Sequence, residues 1–442
     1  MTNVHLTRAL TAAAFSVLIP ALQAMPAPDA RQDAPVPSAI SSDSIRAHMM
    51  ELADDKYEGR GAGYDGERRA AEYIAAELKR IGIAPAGDAR GYFQEFSFHP
   101  MHPVKPWETF TSRNVIGRVE GSDPALRNEL VVIGAHYDGQ GKTGQADPFR
   151  VPSSDPASKD QIWNSANDNA TGVAAMLAIA RAMKQSAAPR RSVMFIAFGA
   201  EEHGMAGSIH YVAHPAAALS DHVAMINLEK LGRGPEKPFN TSGNATSPAW
   251  SDVLESAQQQ TGVQISPTNP FALPESDHYP FGASRIPAIM FYVGGVPDSH
   301  QPSDAADLID VNRVGQAARC ALLMSLDLAG RTQRPPYAPA PFPDMGISAH
   351  LATAAEADAR GVAPPYGGLK VTGLIAGLPA ASRLSRPGDL IVEFANYQFR
   401  RDDALPALMA LQREVLEGKR GFTLPMKVVR GKGSVDLVMN LR

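Results

Sequence analysis

The 442 residues carry 42 Lys and Arg against 46 Asp and Glu, a formal charge of −4, and 44% of them are apolar. Such composition suits a globular chain of about two or three domains and excludes fibrous or wholly disordered ones, while so small a charge argues against a general basic field for nucleic acid or an anionic membrane. The single cysteine, Cys320, lies in the apolar helical run AARCALLMSL and reads as a buried structural thiol; it excludes an intrachain disulfide, a multi-cysteine zinc site and a CxxC redox pair, so a metal would need His and carboxylates.

Residues 1–24 place His5 and Arg8 before an uncharged stretch from Ala9 to Leu22 that ends in small residues around Ala24. This predicts a secretory signal peptide whose apolar segment is too short to span a bilayer comfortably. No cysteine follows for a lipid anchor and no later segment is apolar enough for a membrane span, so the expectation is an exported protein, periplasmic or secreted. Residues 25–39 read as a Pro/Ala/Asp linker.

From Ile40 onward, Ala70, Tyr73, Ile74, Leu78 and Ile81 recur at helical spacing and predict an amphipathic helix. Short, almost continuously apolar runs (LVVIGA, VMFIAFG, VAMINL, AIMFYVG) then alternate with helical patterns such as Val173, Met176, Leu177 and Ala180. Strands apolar on both faces need cover on both faces, so residues 40–330 are expected to form an α/β fold: a mixed, mostly parallel central sheet sandwiched by helices. The proline-rich run at 331–343 reads as a linker. Residues 344–442 return to short alternating patterns around one helical stretch, ALPALMALQREVLE, and predict a small, mostly β module.

In such sheets, ligands bind where strands end. His136 follows the run LVVIGA, with Asp138 two residues on to take the proton of its other ring nitrogen. Asp168 precedes the helix expected near Thr171, where a helix cap and a metal ligand are equally in keeping with its position. Glu201 and Glu202 follow VMFIAFGA; adjacent side chains point apart, so one can bind metal while the other faces substrate. Glu229 ends VAMINL, and His300 lies in PDSHQPSD after AIMFYVGG. Two imidazoles and three carboxylates at strand ends suit zinc. A pair of ions is expected, with Asp168 bridging, His136 and Glu229 on one and Glu202 and His300 on the other, a shared water between them, and Glu201 as the base for that water.

The segments GAHYD, NSANDNATGVA, FIAFGAEEHGMAGSIHYV, INLEKLG, SDHYPF with the following RIPAIMF, and DSHQPSD resemble the M28 family of zinc peptidases, whose founding members are secreted aminopeptidases. The resemblance covers most of residues 40–330. It implies His136, Asp168, Glu202, Glu229 and His300 as ligands of two Zn2+ per chain, with Asp168 as the bridge, Glu201 as the catalytic base and Asp138 as the group orienting a ligand. It implies Asp277, His278 and Tyr292 as neighbours of the metals or substrate. Two departures stand out. The family pattern LNLDMxG has Asp where this chain has Glu229, and the stretch from Gly139 to Ser165 is longer than usual. That stretch is expected to form a lip, with Phe149, Arg150 and Trp163 either shaping a pocket or packing within it.

The C-terminal segment, through DMGIS, GLKVTGLIAGLPAAS and RPGDLIVEF, resembles a PDZ-like module. That implies a peptide-binding loop at Gly346 and Ile347 and, as partner, a peptide C-terminus added to a sheet edge. The reading of the whole is a zinc exopeptidase removing N-terminal residues from peptides. The alternatives are a glutaminyl cyclase of the same fold and a non-catalytic peptide-binding protein acting through the PDZ-like module.

Overall fold

The computed structural model describes residues 40–98, 100, 109–146, 150–153, 159–234, 238–269, 272, 275–294, 296, 298–338, 347–374, 386, 388–401 and 423–440. The expected leader and first linker, Phe149, Gly346, part of the Pro-rich run and the helical stretch at 404–417 lie outside these. In chain order the elements before residue 331 are α1 (Ser42–Leu52), α2 (Asp65–Ile81), β1 (Ala84–Pro85), β2 (Phe93–Phe98), β3 (Phe110–Val119), β4 (Leu130–His136), β5 (Gly141–Lys142), β6 (Ile162–Trp163), α3 (Thr171–Gln185), β7 (Ser192–Phe198), α4 (Ala206–Ala213), β8 (His222–Glu229), β9 (Phe239–Ser242), α5 (Ala249–Thr261), β10 (Ile265–Asn269), α6 (His278–Ala283), β11 (Ala288–Tyr292) and α7 (Val311–Gly330).

Nine of these strands form one sheet in the order β1-β3-β7-β4-β8-β11-β9-β10, with β2 paired to β3. The four apolar runs of the sequence are β4, β7, β8 and β11, and they lie side by side and parallel in the middle. Every residue of β4, β7 and β8 is buried. Alternation along them serves two cores. Val131, Ile133, Ala135, Val193, Phe195 and Ala197 face α1, α2, α3 and α7. Leu130, Val132, Met194, Ile196 and Phe198 face Tyr211 and Val212 of α4 and Phe281 of α6. The helix expected around residues 70–81 is α2, closed by Gly82 in the left-handed region at φ 86°, whose N–H donates to the carbonyls of Leu78 and Lys79.

The pairing is more evenly mixed than the expected mostly parallel sheet. It turns antiparallel where β3 meets β1, β2 and β7 and where β11 meets β9. The short connection between β2 and β3 accounts for one of these pairs, since parallel neighbours need a long crossover.

After residue 346 come β12 (Ile347–Leu351), α8 (Ala354–Asp358), β13 (Leu369–Leu374), β14 (Leu390–Phe394), β15 (Tyr397–Gln398), β16 (Thr423–Arg430) and β17 (Gly433–Asn440). These strands make a separate antiparallel sheet in the order β12-β13-β14-β16-β17, with β15 on β14. No helix among the described residues is long and apolar enough to cross a membrane.

Candidate active site

Because β7, β4, β8 and β11 are parallel, their C-terminal ends share one edge of the sheet. His136 is the last residue of β4 and Glu229 the last of β8. Glu201 and Glu202 follow the end of β7 closely, His300 lies in the loop after β11, and Asp168 comes from the irregular turn at Ala166–Ala170 that opens α3. Asp168 does not cap α3, whose N-cap position is Ala170; in its first turn the Gly172 N–H donates to Asn169 Oδ1 at 3.0 Å. That leaves the Asp168 carboxylate for the cluster.

The side chains meet in two groups that share Asp168, and in a third His136 lies with Glu201 and Glu202. His136 Nε2 lies 3.3 Å from Asp168 Oδ1 and 3.2 Å from Glu229 Oε1. On the other side, His300 Nε2 is 3.1 Å from Asp168 Oδ2 and 3.5 Å from Glu202 Oε2. In each group the three candidate ligand atoms lie within 4.8 Å of one another. Asp168 Oδ1 and Glu202 Oε1 are buried without a hydrogen-bond partner among the described residues. Orphaned buried acceptors are costly, and a divalent cation held by imidazole and carboxylate would satisfy them, so the donor set fits zinc.

Electrostatics point the same way. Burial pulls the His136 imidazole down, but Glu229 and Glu201 outweigh it and hold the group well above its ordinary value. For His300 burial is likewise outweighed, by Glu202 and Asp168, and its value rises to about 9. Burial acts on Asp168 too, yet Lys230 and the two imidazoles keep it well below the carboxylate range. The cluster draws positive charge inward. Burial pushes Glu202 up to about 7 and Asp277 to about 8. Glu201, whose Oε2 is 3.9 Å from His136 Nε2, is held well above its ordinary value by burial and by Asp277, Glu202 and Glu229, against His136.

Around the cluster a set of buried polar groups fixes its backbone. Asp138 lies against the other face of His136, its Oδ1 3.5 Å and its carbonyl 3.2 Å from Nδ1. The same carboxylate accepts the N–H groups of Glu201 at 3.0 Å and Glu202 at 3.1 Å, so it ties the end of β4 to the loop after β7. Asp304 accepts from the N–H groups of Asn167 and Asp168 at 2.9 and 3.0 Å. Asn169 Nδ2 donates to the carbonyl of Leu228 at 2.8 Å, and Asn167 Oδ1 accepts from Gly232 N–H at the same distance. Ser276 donates to Glu229 Oε2 at 2.7 Å, and Ser208 to Asp277 Oδ1 at 2.5 Å. Arg60, fully buried, donates to the carbonyls of Leu52, Tyr137, Asn164 and Ser165 at 2.7–2.8 Å.

The remaining expected site residues are placed less directly. His278 is buried at the start of α6, beside Asp277. Tyr292 stands level with Glu229 in the β8–β11 register, but its hydroxyl meets Thr268 Oγ1 at 3.0 Å. Ile347 opens β12, opposite Leu374 of β13. In the 139–165 stretch, β5 and β6 form a two-stranded ladder; Arg150 stacks over the Trp163 ring, donates to the Lys142 carbonyl, and Trp163 Nε1 donates to the Val151 carbonyl at 3.1 Å. These two side chains pack within the insertion, whose Val151 N–H also donates to the carbonyl of His300 at 2.8 Å. Cys320 is buried, with Sγ 3.3 Å from Thr261 Oγ1, and burial pushes its thiol up to about 11.

Arg60, Asp304, Lys230, Asn167 and Asn169 also shape the site, and the sequence marks them weakly: Asn167 and Asn169 flank Asp168, Lys230 follows Glu229 and Asp304 sits inside DSHQPSD, while a lone Arg in EGRGAG carries no signal.

Residues 114–325 match the model of Peptidase family M28. Aminopeptidase YwaD of Bacillus subtilis is 30% identical over 226 residues, 48% of this chain and 44% of that relative. The chain thus spans less than half the length of the first curated relatives it matches. Among solved structures, a zinc aminopeptidase from Bacillus subtilis superposes with TM-score 0.52 at 18% identity, over 67% of this chain and 97% of that one. A glutaminyl cyclase from Porphyromonas gingivalis does so with TM-score 0.52 at 19% identity, over 65% and 98%. At such identities the likeness is one of fold.

Proposed function

We propose that the chain is a member of Peptidase family M28, whose model residues 114–325 match, and a zinc-dependent metallo-aminopeptidase that removes N-terminal residues from peptides. The observation that carries this reading is the Asp168 carboxylate, whose two oxygens face separate His–carboxylate groups, His136 with Glu229 and His300 with Glu202, beside the Glu201 acid. His136, Asp168 and Glu229 would hold one ion and Asp168, Glu202 and His300 the other. When bound, the ions polarise the scissile carbonyl and acidify a water.

The chain's own residues supply the rest. Glu201, whose Oε2 stands 3.9 Å from His136 Nε2, takes a proton from the attacking water and returns it to the leaving amine nitrogen as the C–N bond breaks. Asp138 keeps His136 oriented through Nδ1 and, by accepting the two N–H groups, fixes where Glu201 and Glu202 point. The excess of carboxylates around the site favours a substrate ammonium, which supports cleavage at the amino end. Export of the chain extends this reading on the strength of residues 1–24, and capture of a peptide C-terminus near Ile347 on the resemblance of the C-terminal segment.

The test is metal analysis of the purified protein together with turnover of free and N-acetylated peptides side by side. Bound zinc with cleavage of the free peptide alone is the expected result. Equal cleavage of both peptides would refute amine recognition, and absence of bound zinc would refute the metallopeptidase. Since the fold is shared with a glutaminyl cyclase, a peptide beginning with Gln is included; ammonia released with the chain length unchanged would mean cyclisation instead.

A further inference from the structure

We propose that Lys230 makes the two ion positions unequal: its ammonium occupies Asp168 Oδ2, so the chain holds one divalent ion tightly through His136, Asp168 and Glu229 and a second, shared by Asp168, Glu202 and His300, much more weakly. The inference rests on the metallopeptidase reading and goes beyond it, from which residues bind metal to how the two positions differ.

Lys230 follows Glu229 directly, where the LNLDMxG pattern has Met. Its Nζ lies 3.1 Å from Asp168 Oδ2 and 3.8 Å from Glu229 Oε1. The position is built. The Lys230 N–H donates to Asn169 Oδ1 at 3.1 Å, its carbonyl accepts from Val293 N–H at 3.2 Å, and its backbone sits at φ 50°. The stem therefore enters from a fixed point, and the side chain is only 27% exposed.

The two oxygens of Asp168 are unequal as a result. Oδ2 is met by Lys230 Nζ, by His300 Nε2 at 3.1 Å and by the Ser299 hydroxyl, which donates at 3.3 Å. Oδ1 has no hydrogen-bond partner among the described residues and faces His136. Each ion would gain an unsatisfied acceptor, Asp168 Oδ1 for one held with His136 and Glu229 and Glu202 Oε1 for one held with His300, but the second has to compete with the ammonium already on Asp168 Oδ2.

Repulsion gives the same order, because the Lys230 ammonium stands against the Asp168 oxygen that the second ion would share. In a site this buried the repulsion between an ammonium and a nearby divalent cation is weakly screened, so it is felt as lost affinity for the second ion.

The experiment titrates zinc into the metal-stripped full chain by calorimetry against a competing chelator and counts ions retained after gel filtration, for wild type, Lys230→Met and Lys230→Arg. Wild type should retain one zinc and take the second with affinity lower by about a hundredfold or more. Lys230→Met should narrow that gap by roughly tenfold or more, and Lys230→Arg, which keeps the charge, should preserve it. Two equal affinities in wild type, or an unchanged gap in Lys230→Met, would overturn the proposal while leaving the metallopeptidase reading intact. Zinc bound by none of the three proteins would sink both. Thermal melts of the stripped variants verify folding, and Lys230→Gln, which also removes the charge, is titrated in its place if the Met variant does not fold.

Discussion

Glu201 and Glu202 are adjacent, yet their surroundings separate their work. Glu202 faces His300, while Glu201 is set against His136, Asp277 and Glu229, and burial with like charge keeps it proton-hungry. On the proposed reading Glu201 serves as base and Glu202 as ligand, which gives a sharp expectation. Glu201→Gln should keep the zinc content of the parent and lose about 10²–10⁴-fold in turnover, measured as kcat on an aminoacyl anilide beside metal analysis of the same sample. Loss of zinc in parallel with turnover would make Glu201 a ligand and the assignment wrong. At this scale the sequence spoke where a chemical residue ended an apolar run, as at His136 and Glu229. It was silent on Arg60, whose guanidinium donates to carbonyls that one nearby and two distant segments bring to it.

Among the elements, the turn at Ala166–Ala170 does most to shape the site. A regular helix start would have spent the Asp168 carboxylate on backbone N–H groups; here Asn169 accepts from Gly172, and Asp304, reaching over from the loop that carries His300, accepts from the two N–H groups before it. Burial pushes Asp304 up to about 6, a cost tolerated because both donors would otherwise be unpaired. Asp304→Asn sets an amide N–H against one of them. The expected loss is about 1–3 kcal/mol in the stability of the metal-stripped protein and about 10–100-fold in zinc affinity, read by denaturant melts and competition titration. A variant with parental zinc affinity would show that the turn is held without Asp304. The sequence left capping and ligation open for Asp168 because both need an acceptor at the same place in the chain. The choice was made by Asn169 and Asp304, one adjacent and the other 136 residues away.

At the scale of the whole molecule, α4 and α6 close the second face of the sheet, and His278 at the start of α6 is fully buried. Burial pulls its imidazole from 6.5 down to about 3. The folded protein therefore prefers the neutral ring: its contribution to stability is complete above the unfolded value near 6.5 and is lost as pH falls toward 3. Melts of the parent and of His278→Leu at pH 7.5 and 5.5 test this; the parent should lose about 1.4 kcal/mol relative to the variant between the two. Parallel losses would mean that His278 is solvated or protonated in the fold.

Strand character and the side chains that end the strands were determined by the sequence alone, because burial on both faces writes a local pattern of unbroken apolar runs that any close reading recovers. A mostly β segment after the proline run followed by the same logic. Tertiary structure alone decided how far the sheet departs from parallel order, that Arg150 and Trp163 pack within their own insertion, and that the two oxygens of Asp168 face different partners. Those outcomes depend on distances between residues far apart in the chain, and spacing along a chain does not contain them.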